Sequence, residues 1–261
     1  LISMPHCGTH LPEELIGDMS EHSLTTADTD WHVDKLYEFA QALGASIIRP
    51  HVSRYVIDLN RPADNAELYP GANGTDLCPV SNFAEENIYK PGKEPGDEEV
   101  QRRLNTYWHP YHNQVQAELA RIKEAHGVAV LFEAHSIRSL VPRLFEGRLP
   151  DLNIGTAAGK SCAPSMLAAV ETVLSTQNHY SCVVNKRFKG GYITRAYGQP
   201  ENNIHALQLE LSQRTYMQET MPFHYLPERA QDVQPLLKKL LRALIGWAQT
   251  SALAEVHHEP A

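Results

Sequence analysis

This 261-residue chain is poor in the features that define several protein classes. Its cysteines are few: Cys7, Cys78, Cys162 and Cys182 are widely spaced, with no CxxC pair. That excludes a disulfide-built scaffold and favours a reducing, cytoplasmic compartment. No apolar run approaches the roughly 20 residues that span a bilayer, and no basic and then apolar leader opens the chain. Positive charge is also short, with 23 Lys and Arg against 31 Asp and Glu for a net charge of -8. The balance argues against nucleic acid or an anionic membrane as the main partner, so an anionic small molecule would need a local cluster of arginines. Internal repeats and low-complexity segments are missing, and no composition shift marks a boundary. A hydrophobic content of 42% therefore reads as one domain with a well-buried core.

Strand-like and helix-like segments alternate along the chain, the pattern of an α/β layer fold. Strands are expected at Leu1 to Met4, Ala45 to Arg49, Tyr55 to Leu59, Val128 to Phe132, Tyr180 to Val184 and Ala206 to Leu211. Apolar periodicity ending at Gly44 predicts a helix over Thr29 to Leu43. A long helix is expected over Glu99 to His126, kinked or restarted at Pro110, and others from Pro164 to about Leu174 and through Val233 to Trp247. Between Pro62 and Glu98 lie five prolines and four glycines in 37 residues, an irregular excursion of the kind that is usually functional. The tail from Glu255 is polar and is expected to fray.

Several short motifs carry chemistry, and most follow an expected strand. They are Pro5-His6-Cys7-Gly8, Asp30-Trp31-His32-Val33-Asp34, the run from Arg54 to Arg61, Glu133-Ala134-His135-Ser136 and Gln208-Leu209-Glu210-Leu211. Open α/β sheets bind ligands beyond the carboxyl ends of their strands. One strand-end histidine is weak evidence; imidazoles, carboxylates and arginines recurring at that position point to a hydrolytic site with an activated water, a Lewis acid and a proton shuttle. Glu210 sits between two leucines on a strand, so it can face a cleft while they face the core.

Phrases such as RYVIDLNRP, HSIRSLVPRLFEGRLPDLNIGT and GGYITRAYG resemble the N-formylglutamate amidohydrolase family. The resemblance covers Leu1 to Pro12, Asp28 to Tyr37, Ser53 to Pro62, Tyr107 to His112, Glu133 to Gly155 and Gly190 to Met217. It implies a fold similar to zinc carboxypeptidases and aspartoacylase-type deacylases: a single zinc-exopeptidase-like (phosphorylase/hydrolase-like) domain with a central mixed sheet flanked by helices. One catalytic Zn²⁺ is implied, taking two histidines and a carboxylate and leaving an open position. His6 and His135 are the imidazoles. Thr9 stands where carboxypeptidases place their glutamate, so Asp30 is the expected carboxylate, with Asp28 and Asp34 as competitors. His10, His32, His51, His109 and His112 are further imidazoles near these motifs, His112 the first to test.

Glu210 is the expected general base, and Glu133, two residues before His135 on the same side of the strand, is placed to orient an imidazole. By the same resemblance Arg54 would polarise the scissile carbonyl, and Asn60 with Arg61 would hold a carboxylate, although Arg54 is one residue closer to Arg61 than in the deacylase pattern. N-formyl-L-glutamate carries two carboxylates, which suit guanidinium forks. Arg138, Arg143 and Arg195 are candidates for the second, with Thr194 and Tyr197 as hydrogen-bond donors. The implied reaction is hydrolysis to formate and glutamate, closing one route of histidine breakdown. Three alternatives stand beside it: deacylation of another N-acyl acidic amino acid, a thiol amidase built on Cys7, and a non-catalytic binding protein for acidic amino acids.

Overall fold

The computed structural model describes residues 1–68 and 74–256. Six strands form one mixed sheet: β1 (Ile2–Ser3), β2 (Ile47–Ile48), β3 (Ala129–Ile137), β4 (Leu152–Gly155), β5 (Cys182–Val184) and β6 (Ile204–Ser212). Their order is β2-β1-β3-β6-β4-β5. Every neighbouring pair is parallel except β4 with β6, so the reversal falls beside the two longest strands. The helices are α1 (Glu13–Ile16), α2 (Val33–Leu36), α3 (Asp97–Arg103), α4 (His109–His126), α5 (Pro164–Ser175), α6 (Tyr192–Tyr197) and α7 (Pro227–Val256). Among the described residues no helix is long and apolar enough to cross a membrane. The polar tail beyond Val256 lies outside the described residues.

The two central strands place the site through their period of two. Phe132 and Ala134 of β3, with Leu207, Leu209 and Leu211 of β6, pack into a core completed by α2, α5 and α7. Ala129, Leu131 and Ala206 face the other way, against α4, α6 and the segment from Val52 to Leu59. Continuing that second face along the strands brings Glu133, His135, Gln208 and Glu210 together. The register pairs Glu133 with Gln208 and His135 with Glu210.

Three expected elements differ. The periodic stretch from Thr29 to Leu43 is not one helix but α2 followed by a 3₁₀ segment over Glu38–Leu43. Its first residues are drawn into the site, where the Asp30 amide donates to the His6 carbonyl, and His32 adopts a left-handed φ of 62°. The apolar period still buries Val33, Leu36, Tyr37 and Ala40, and Gly44 still stops it at φ 80°. Tyr55 to Leu59 is buried but belongs to no strand; side chains take its carbonyls at Tyr55, Val56 and Leu59, while the Val56 and Asp58 amides donate to the Ser53 and Leu77 carbonyls. The helix expected over Glu99 to His126 is α3 and α4 joined by a π turn at Leu104–Trp108, ahead of Pro110. Three elements, α1, β4 and α6, were not anticipated. β4 is short and α6 begins at a close-packed glycine pair.

Candidate active site

Each motif reaches the site by its own local device. Beyond β1 the chain turns through His6, and Gly8 lies against the Val52 carbonyl, where an added Cβ would come within 2.2 Å. That contact holds the first motif against the segment that leads into Arg54. Asp30 is brought in by its bond to the His6 carbonyl, 3.0 Å. His6, Asp30 and His135 converge, with one donor atom from each within 4.8 Å of the others. His135 Nδ1 is 2.9 Å from Asp30 Oδ2, and His6 Nδ1 is 3.8 Å from the same oxygen.

Both imidazoles are oriented from behind by a carboxylate, the arrangement that fixes tautomers in metal sites. His6 Nε2 meets Asp58 Oδ1 at 2.6 Å, and Asp58 also accepts from Arg54 Nη2 at 2.7 Å. His135 Nε2 meets Glu133 Oε1 at 2.8 Å. The other Glu133 oxygen accepts from the Thr194 amide and hydroxyl. Each histidine thus turns its Nδ1 toward Asp30. Asp28 and Asp34 are occupied elsewhere: Asp28 accepts from the Phe83 amide and faces Arg138, while Asp34 binds the Lys35 amide and Arg49.

The electrostatics favour a bound cation. Asp30, Asp58, Glu133 and Glu210 are all buried, none more than 7% exposed, and the guanidinium buried among them is Arg54. Burial works against ionising Asp58, but His6 and Arg54 outweigh it and hold that carboxyl well below the ordinary range. Burial also works against an imidazolium at His135, yet Glu133 and Asp30 prevail and hold it well above its usual value. A second ring proton on His135 then sits where a metal would bind. His6 is pushed down by burial and by Arg54. Glu210 is pushed up to about 8, mainly by burial. Two imidazole nitrogens, that of His135 freed as its ring proton is displaced, and a carboxylate in an anionic pocket suit a divalent metal such as zinc, so the residues fit the group.

His6, Asp30, His135 and Glu210 line a cavity of about 250 Å³, which also takes in Arg54, Asn60, Arg61, Arg187, Phe188 and Gln208. Gln208 is set by Gly191, whose amide donates to its Oε1 at 2.7 Å, leaving Nε2 to donate to Glu210 Oε2 at 3.3 Å. Gly191 also packs on Asn60, where any Cβ would come within 2.3 Å. Asn60 Oδ1 accepts from the Ile193 amide at 2.9 Å in the first turn of α6, and its Nδ2 lies 3.1 Å from His135 Nε2. Arg61 gives Nε and Nη2 to the carbonyl and hydroxyl of Thr75 and one Nη1 proton to the Asn60 carbonyl. One proton on each terminal nitrogen remains for a ligand, the end-on fork that matches a carboxylate.

Five residues anticipated at the substrate do not line the cavity, among them Tyr197, whose hydroxyl is on His112 Nδ1. Arg138 pairs with Asp28, Arg143 donates to Ser81 and to the Asn82 carbonyl, and Arg195 donates to the Gly190 carbonyl. Thr194 is spent on Glu133. Their distance along the chain carried no information about which way they face. In their place stands Arg187, unanticipated, with Nε donating to the Leu144 carbonyl and its guanidinium 5.2 Å from the Phe188 ring centre. Its one sequence signal is its position just before the Gly190-Gly191 pair. Of the other imidazoles, His10 and His51 stack on each other at 4.8 Å, away from the cavity, and His112 is a buried strut for the chain around Leu59.

The sequence matches the family described as N-formylglutamate amidohydrolase over residues 1–217. An N-formylglutamate deformylase of Pseudomonas aeruginosa is 49% identical over 249 residues, covering 95% of this chain and 93% of that protein. One from Pseudomonas putida is 49% identical over 247 residues, with 95% and 92% coverage. The crystal structure of an N-formylglutamate amidohydrolase from Ralstonia eutropha JMP134 superposes with a TM-score of 0.78 at 26% identity, covering 93% of this chain and 91% of its own. A more distant Agrobacterium tumefaciens protein, 18% identical, shares the fold at a TM-score of 0.66. With two relatives near half identity over almost their whole length, the chain belongs to the N-formylglutamate amidohydrolase family.

Proposed function

We propose that this protein is a zinc-dependent N-formyl-L-glutamate deformylase, releasing formate and L-glutamate at the close of a histidine-degrading route. The observation that carries the reading is the convergence of His6, Asp30 and His135 opposite Glu210 in a small cavity that also holds Arg54 and Arg61. Bound through that triad, zinc would supply a Lewis acid and lower the pKa of water. His6 and His135 present Nδ1, fixed by Asp58 and Glu133. Glu210 accepts the proton of the attacking water and passes it to the departing amine; burial pushes its carboxyl up to about 8 against the pull of His135 and Arg54, and a cation bound beside it would favour the carboxylate form that takes the proton. Arg54 is anchored on Asp58 and offers its guanidinium to the carbonyl oxygen as negative charge develops there. Arg61 and Arg187 hold the two carboxylates of the substrate.

Cys7 does not support the thiol reading. Its sulfur donates to the Met4 carbonyl, and burial pushes the thiol up to about 12, so little thiolate forms near neutral pH. Acyl range is tested by formate, acetate or succinate release from N-formyl, N-acetyl and N-succinyl glutamate and aspartate. Preference for another acyl group would contradict the deformylase reading and favour a general deacylase.

Metal binding should be proton-linked. In the metal-free protein burial opposes a second ring proton on His135, but Glu133 and Asp30 prevail and favour the doubly protonated form. Binding a cation at Nδ1 expels that proton, so affinity should rise with pH across the neutral range and protons should be released on binding. Calorimetry in two buffers of different ionisation enthalpy reads the release directly. Identical apparent enthalpies in both buffers would rule out a protonated His135 in the metal-free state.

A further inference from the structure

The junction between α3 and α4 has a consequence for the site. Pro110 has no N–H for a helical bond, and its ring crowds the carbonyl four residues back, that of Thr106, inside the π turn at Leu104–Trp108. In an unbroken α-helix each residue turns about 100°, so Arg103 would point about 140° from Trp108 and about 180° from His112. A π turn absorbs one extra residue and changes that phase. Arg103, Trp108 and His112 all reach the same segment as a result.

Each of the three gives a side-chain N–H to a carbonyl of that segment. Arg103 Nη1 donates to Val56 at 2.8 Å, Trp108 Nε1 to Arg61 at 2.9 Å and His112 Nε2 to Leu59 at 2.9 Å. The donors are buried, at 1%, 7% and 2% exposure. The Trp108 and His112 rings stack with centres 3.7 Å apart, and His112 Nδ1 accepts from the Tyr197 hydroxyl at 2.7 Å, which places the ring proton on Nε2. Residues 54–61 belong to no strand, yet carry Arg54, Asp58, Asn60 and Arg61. A buried segment without a ladder must find partners for its carbonyls elsewhere.

We propose that the π turn is a positioning device for the reaction, and that Trp108 is the positioning residue for Arg61, holding its carbonyl so that its guanidinium meets the substrate carboxylate. The inference rests on the reading of Arg61 given above. Trp108→Phe keeps a ring against His112 while removing the N–H together with the second ring of the indole.

In the zinc-loaded full chain, Trp108→Phe should raise KM for N-formylglutamate about five- to tenfold, the scale of one lost hydrogen bond, and leave kcat within about twofold. Trp108→Tyr, a second ring without the indole N–H, should repeat that pattern. In an Arg61→Ala background the same change should add little, because the group it positions is gone. An equal KM penalty in both backgrounds, a fall in kcat with KM unchanged, or an unchanged KM would overturn the proposal. If Trp108→Phe is silent while Arg61→Ala raises KM, the Arg61 reading stands and the positioning role falls. If Arg61→Ala leaves KM unchanged, both fall.

Discussion

Glu210→Gln is expected to retain the bound metal and to lower kcat for formate release by a factor on the order of 10² to 10⁴, the usual contribution of a positioned acid–base group. The side chain is held on the cavity face of β6, between Leu209 and Leu211 in the core, with Gln208 donating to it. Glutamine fills the same space and cannot accept the water proton. A variant with near-native turnover would end this assignment. Glu133 is a poor substitute, since both of its oxygens are already bound by His135 and Thr194.

Arg61 should show the second large effect, on binding instead of turnover. Its Nε edge is fixed to Thr75, so the end-on fork points where the protein directs it. Arg61→Lys keeps charge and loses the fork, while Arg61→Ala loses both, and affinity should fall in the order Arg, Lys, Ala. Losing a charged pair in a desolvated pocket costs about 2 to 5 kcal/mol, read as weaker binding of N-formylglutamate and of glutamate. Comparing N-formylglutamate with N-formylglutamine assigns the carboxylate: a loss confined to the charged substrate places Arg61 at the side chain. Equal loss on both substrates places it at the α-carboxylate and gives the side chain to Arg187. No loss on either makes Arg61 structural and contradicts the account.

The division between what the sequence revealed and what it hid follows the range of the interactions. The strands from Val128 and Ala206 were legible because buried strands need apolar runs, and the alternation of Leu209, Glu210 and Leu211 foretold which way the acid faces. The fold, with its mixed sheet flanked by helices, came from the family resemblance, and the structure bears it out. Expectations failed where the site overrides local preference. The helix before Val33 is surrendered so that the Asp30 amide can reach His6, and the apolar run at Tyr55 forgoes a ladder because α3, the π turn and α4 take its carbonyls. Arginine direction was not legible at all. Arg143 and Arg187 look equivalent in a string of letters, and only packing turns Arg187 into the cavity.

If His6, Asp30 and His135 hold one divalent metal on which deformylation depends, as proposed, metal content and turnover must fall together. Elemental analysis of the purified wild type and of His6→Ala and His135→Ala, with turnover on N-formylglutamate measured on the same samples, should give about one metal per chain in the wild type. Both variants should lose stoichiometric metal and activity together, because a three-ligand site left with two holds its ion far more weakly. Either variant keeping a full complement of metal, or a metal-free wild type that turns over at its native rate, would contradict the account.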